Sequence, residues 1–168
     1  MHVHSFPAIA DRNASRLILG TMPGKASLRA GQYYAHERNA FWSIIAALFG
    51  VPATAPYAER GAQLRAQGIA LWDVLQSCSR ESSLDADIVA ETAVPNRIAG
   101  FLHEHPGVRW VYFNGAAAES LYMRHVQPDL GEGLRDLSYI RLPSTSPANA
   151  RLTPAAKLAR WSVLKQAA

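Results

Sequence analysis

Residues 16–42 read RLILGTMPGKASLRAGQYYAHERNAFW: a short apolar run, a polar loop broken by glycine and proline, and the start of a helix. Leu17, Ile18 and Leu19 have the look of a buried strand, and Gly20, Pro23, Gly24 and Gly31 interrupt the backbone after it. An apolar strand that empties into a long polar loop is how an α/β domain builds a site at the carboxyl edge of its sheet. Before the helix begins near Asn39 come Tyr33, Tyr34, His36, Glu37 and Arg38. So many aromatic and hydrogen-bonding groups are out of place in a plain connector, and they suggest a pocket for a planar polar ligand.

The rest of the chain repeats the alternation. The segment 40–49, AFWSIIAALF, is apolar nearly all round and is stopped by Gly50 and Pro52, as expected of a helix packed on a sheet. A more exposed helix is expected over 57–67, a second buried strand over 69–72, and a polar stretch from Asp73 through SSLDADI, where Asp85 and Asp87 lack the spacing of a calcium loop. Asn96 can cap a helix running to His105. A strand over 109–113 ends at Asn114-Gly115, and a helix over 116–125 follows it. The last strand, 139–142, runs into PSTSPANARLTP, after which Thr153 and Pro154 suit the cap and first position of a terminal helix with Leu158, Trp161 and Leu164 on one face. Four buried strands separated by helices predict an α/β fold with a parallel sheet covered on both faces. His2 and His4 alternate as in a short strand, and the simplest expectation for residues 1–15 is a surface terminus.

At 168 residues, 49% hydrophobic and 18% charged, the chain can bury one substantial core. The expectation is a single domain over 1–168 with its core at about 16–166. No apolar run approaches the roughly 20 residues that cross a bilayer, and the amino terminus lacks a basic segment followed by an apolar one, so a cytoplasmic location without membrane contact is expected. The net charge of +4 suits a polyanionic partner without establishing one. Cys78, the single cysteine, excludes an intrachain disulfide and any four-cysteine metal centre.

Familiar site motifs fail in the first loop. A phosphate-binding P-loop needs glycine where Leu19 stands and a hydroxyl where Ala26 stands; HERNA opens like a zinc-peptidase helix but has Ala40 where the second histidine belongs. Neither a dinucleotide fingerprint nor a nucleophile elbow is present. No metal or cofactor is therefore expected. What remains is a site of backbone groups, amides, hydroxyls and rings, able to stabilise charge that develops on a leaving group.

With GTMPG…SL…YYAHERNAFW at 20–42, LPSTSPANA at 142–150, and LWDVLQSC, SLDADI and FNG between them, the chain resembles the uracil-DNA glycosylase superfamily, in particular its hypoxanthine-DNA glycosylase branch. The resemblance implies a three-layer αβα sandwich around a four-stranded parallel sheet. It implies a monofunctional enzyme of base excision repair that hydrolyses the N-glycosidic bond of a deaminated base, chiefly hypoxanthine, in double- or single-stranded DNA, reaching the base by extruding it. A monomer is the default expectation.

Residue by residue, the resemblance puts Gly20, Thr21 and Met22 in the water-activating loop, where better-known branches hold a carboxylate or amide that Thr21 and Met22 cannot replace. It gives water positioning to Asn39, whose carbonyl can orient a water and whose dipole favours a cationic sugar. A plain N-cap of the following helix is the competing reading of Asn39. Phe41 matches the aromatic that stacks on the base, against a simple core role, and Tyr34 and His36 line the same pocket. Asn114 matches the base-reading asparagine: one donor and one acceptor would suit the O6 and N1–H of hypoxanthine, or the O4 and N3–H of uracil, whereas adenine and cytosine reverse the pair. The competing reading of Asn114 is a turn residue before Gly115. Ser144 stands where uracil-active relatives often place a histidine. Ser146, Pro147, Ala148 and Asn149 belong to the loop that enters the duplex, and Lys25 and Arg151 are the candidate phosphate contacts. The role of Glu37 stays open between water activation and simple exposure. The alternatives are a uracil or mismatch-directed glycosylase and, in another class, a non-catalytic DNA-binding module.

Overall fold

The computed structural model describes residues 1–134 and 136–165; residue 135 and residues 166–168, the last of which fall at the end of the expected core and domain, lie outside the described residues. Leu17, Ile18 and Leu19 are all fully buried, and successive side chains of a strand point to opposite faces, so this strand must be covered on both. It is: Leu17 and Leu19 join one apolar cluster and Ile18 the other.

The strands are β1 (His2–His4), β2 (Arg16–Gly20), β3 (Ile69–Asp73), β4 (Leu75–Ser79), β5 (Val94–Pro95), β6 (Trp110–Asn114) and β7 (Ser138–Leu142). The main sheet has the order β3-β2-β6-β7 and is parallel throughout. Helices α1 (Lys25–Ala30), α2 (Phe41–Phe49), α3 (Tyr57–Ala66), α4 (Ile98–Glu104), α5 (Ala116–His125) and α6 (Pro154–Trp161) complete the elements. α4 and α5 send Ile98, Phe101, Leu102, Ala118 and Tyr122 into one cluster. Residues of α2, α3 and α6, among them Phe41, Ile45, Leu64 and Trp161, fill the other. The result is the three-layer αβα sandwich with four parallel strands.

Three expectations need correction. The first loop is not irregular throughout, because α1 forms inside it and ends at Gly31 in the left-handed conformation (φ 65°). The polar stretch after Asp73 is a strand: β4 pairs antiparallel with β1 and β5, so His2–His4, with both histidines exposed, is the short strand their alternation suggests and forms the edge of a second, three-stranded sheet. Asn96 does not cap α4. Its amide donates to the carbonyls of Asp73 (2.8 Å) and Leu75 (3.2 Å), bracing the corner between β3 and β4. By contrast, Thr153 caps α6 as expected, its hydroxyl accepting the Ala156 N–H at 3.1 Å.

Candidate active site

Parallel strands in one sheet end at one edge, so Gly20, Asp73, Asn114 and Leu142 are neighbours although they are far apart in sequence. Gly20 pairs in register with Asp73, and Asn114 with Leu142. Beyond this edge lies a cavity of about 480 Å³, lined by the first loop (20–27, with Tyr33, Tyr34, His36 and Asn39), by Asp73 and Asn114, by 83–86, and by 144–149. That volume accepts a purine.

Thr145 ties the walls together. It is 1% exposed. Its N–H donates to Asn114 Oδ1 (2.9 Å), its hydroxyl accepts from Asn114 Nδ2 (3.0 Å), and its carbonyl accepts the Ala40 N–H at the mouth of α2 (3.0 Å). Thr145 thus takes one amide hydrogen and one carbonyl lone pair of Asn114, and one of each remains on a side chain that lines the cavity. The reason for the contact is topological. Asn114 stands beside Leu142 in the sheet, and the chain leaving Leu142 passes directly over it. Gly115 beyond it sits at φ 98°, with room for a Cβ only 3.1 Å from the Ser144 Cβ.

Asn39 faces the cavity and is half-buried. Its Oδ1 accepts the Phe41 N–H at 2.9 Å, so it does brace the start of α2; one lone pair and the amide hydrogens remain available. Phe41 is fully buried and is not part of the cavity wall, a correction: as the first residue of α2 it points into the core. Tyr34 covers it, the rings stacked at 4.2 Å between centroids and 28° between planes, so Tyr34 stands between Phe41 and the cavity. Tyr34 has φ 54°, a conformation that bulky side chains rarely adopt, costing about 1–3 kcal/mol. Its neighbours hold it there: the Tyr33 N–H donates to the Tyr57 hydroxyl (3.0 Å), the Tyr33 hydroxyl donates to Pro7 O (2.9 Å), and the Ala35 N–H donates to Ser27 Oγ (3.1 Å).

Thr21 and Met22 are buried in the wall, Met22 with the core at its back. His36 is exposed on the rim, its Nδ1 accepting the Arg38 N–H (3.1 Å). Lys25 lies on the same rim, its N–H bound to Ser83 Oγ (2.9 Å). Ser144 accepts the Ser146 N–H through Oγ (3.2 Å) and the Asn149 amide through its carbonyl (3.1 Å), which stiffens the 144–149 turn, with Pro147 and Ala148 exposed at its tip. Arg151 and Glu37 are exposed and outside the cavity lining. Among the described residues no three His, Cys, Asp or Glu side chains are grouped to hold a metal ion, and no helix is long and apolar enough to cross a membrane.

Two carboxyl groups in the wall are not assigned to the site from the sequence, where Asp85 is weighed only as a calcium ligand. Asp73, 3% exposed, ends β3 on the cavity floor; its Oδ2 has no hydrogen-bond partner, and burial pushes its carboxyl up to about 7, with Asp85 adding to the rise and Arg80 opposing it. Asp85 contributes from the third wall, raised first by desolvation and lowered by a hydrogen bond to Thr21 and by Arg80. The available signal was position: a carboxylate closing a parallel strand falls at the ligand edge.

A family model described as the uracil DNA glycosylase superfamily matches residues 6–165. A hypoxanthine DNA glycosylase of Methanosarcina acetivorans is 34% identical over 151 residues, covering 88% of this chain and 89% of the relative. One of Methanosarcina barkeri is 34% identical over 116 residues, 68% of this chain and 72% of the relative. The solution NMR structure of a candidate uracil DNA glycosylase from Methanosarcina acetivorans superposes with a TM-score of 0.78 at 31% identity, covering 98% of this chain and 99% of that one. On a family match over residues 6–165 and a superposition that covers nearly all of both chains, the chain belongs to the uracil DNA glycosylase superfamily.

Proposed function

We propose that this chain is a monofunctional DNA glycosylase whose principal substrate is hypoxanthine in DNA. The observation that carries the reading is the 34% identity, over most of both chains, to a relative named hypoxanthine DNA glycosylase. A purine-sized cavity at the sheet edge supports it. An extruded base stacks on the exposed face of Tyr34, whose other face rests on Phe41. Stacking of this kind contributes about 1–3 kcal/mol and discriminates little among bases.

The bond between the anomeric carbon and the base nitrogen breaks with its electron pair going to the base, leaving a cationic sugar. A water held at Asn39 adds its oxygen to that carbon, and the proton it sheds is taken up by the departing base. No side chain of the first loop but Asn39 presents an amide to the cavity, and a fixed dipole there favours the cation without reorganising. The 144–149 turn enters the duplex through Pro147 and Ala148. Lys25 supplies a phosphate contact from the rim, and Arg151 a second one outside the cavity.

Uracil is the second reading, because its O4 and N3–H reproduce the O6 and N1–H edge of hypoxanthine. Single-turnover release from duplexes containing deoxyinosine, deoxyuridine or deoxyxanthosine, scored as alkali-labile abasic sites, separates the two. Deoxyinosine is expected to react fastest; faster cleavage of deoxyuridine would transfer the assignment to uracil, and no abasic sites on any duplex would reduce the chain to a binding module.

A further inference from the structure

The cavity floor holds two buried polar groups that the protein leaves unsatisfied, Asp73 Oδ2 and the Tyr34 hydroxyl. The Asp73 carboxyl, through its other oxygen, and the Tyr34 hydroxyl crowd the space where Gly20 has no side chain: a Cβ there would lie 2.5 Å from Asp73 Oδ1 and 2.7 Å from Tyr34 Oη. Leaving a buried polar atom unpaired costs about 1–3 kcal/mol. Unpartnered polar atoms in a cavity wall mark where a ligand's polar edge belongs. Asn114 lies beside the Tyr34 hydroxyl, with one amide hydrogen and one carbonyl lone pair taken by Thr145.

We propose that Asp73 is a catalytic residue that grips the lactam edge of the extruded base in its acid form, its O–H donating to the exocyclic oxygen and its carbonyl oxygen accepting the ring N–H. The inference rests on the glycosylase reading above. As the glycosidic bond breaks, the electron pair kept by the base spreads onto that exocyclic oxygen, and a donor already aimed at it strengthens. A carboxylate in the same place would oppose the charge.

The surroundings favour the acid. Desolvation pushes the Asp73 carboxyl up to about 7; Asp85, on the turn at 85–87, adds to the rise, and the buried Arg80 guanidinium, just past β4, opposes it without forming an ion pair to Asp73. The hydroxyls of Tyr33 and Tyr34 facing it are held protonated by burial. Base entry displaces the remaining water and favours the acid further.

The test is the pH profile of single-turnover hypoxanthine release between pH 5.5 and 9 for the wild type, Asp73→Asn, Asp73→Ala and Asp85→Asn. An amide presents one donor and one acceptor, as the acid does, and does not titrate. The wild-type rate is expected to fall above pH 7, by roughly thirtyfold at pH 8.5 if only the acid form works. Asp73→Asn is expected to stay active without that fall, Asp73→Ala to lose about a hundredfold at every pH, and Asp85→Asn to keep the fall. A fall that persists in Asp73→Asn or vanishes in Asp85→Asn overturns the proposal. So does an Asp73→Asn variant that is folded, with an unfolding midpoint no lower than the wild type's, yet is as inactive as Asp73→Ala. Absence of hypoxanthine release by the wild type at any pH overturns the glycosylase reading as well, so the two failures are told apart.

Discussion

Gly20 shows how one missing side chain shapes the cavity. Any larger residue would drive its Cβ into the Asp73 carboxyl and the Tyr34 hydroxyl, one of them on a strand end and the other on a backbone already at positive φ. Gly20→Ala is therefore expected to slow hypoxanthine release by about a hundredfold through displacement of these groups by around an ångström, with single-turnover kinetics as the check. Asn39 accepts the Phe41 N–H and faces the cavity, while Ala40 and not Asn39 takes the cap position of α2. The sequence could place residues along strands and loops, but it could not say where a side chain points after a turn. Phe41 and Tyr34 differ in that respect alone: one begins a buried helix turn, and the other is swung to the cavity by a φ that no local pattern announces.

Two loops more than a hundred residues apart meet through Thr145, and the wall they share depends on its three hydrogen bonds. Thr145→Val keeps the shape and removes the hydroxyl, leaving Asn114 Nδ2 without its partner. The expected cost is about 1–3 kcal/mol, read as a lower midpoint of thermal unfolding together with slower base release. Elements with a strong pattern were legible from the sequence: the three-layer core follows from strands that are apolar on both faces, and α6 from its threonine cap and Pro154. Elements without one were not. α1 has six residues and little apolar periodicity, and β4 reads as polar because Gln76 and Ser79 leave the core while Cys78 enters it. Pairing with β1, distant in sequence, makes LQSCS a strand, and no local signal encodes that partner.

The buried Asp73 also bears on the stability of the entire molecule. Its carboxyl sits near 7 when folded and near the ordinary aspartate value when unfolded, so the folded state holds the proton more tightly. That contribution is fully present below about pH 4 and is lost as pH rises through about 7. Asp73→Asn should thus be more stable than the wild type at pH 8, by roughly 2–4 kcal/mol, with a gap that narrows on acidification; equal denaturation midpoints at pH 5 and pH 8 would contradict the burial argument. The net charge of +4 and the basic residues at the rim predict DNA affinity that falls steeply with salt. On the proposed function, recognition, chemistry and stability converge on the cavity at the sheet edge, and Asn39 is the residue assigned to hold the attacking water. Single-turnover release of hypoxanthine from a deoxyinosine duplex by Asn39→Ala, beside its binding to the same duplex, examines that convergence. The expected result is duplex binding within a few-fold of the wild type and release slowed by about a hundredfold or more; release at the wild-type rate would contradict it.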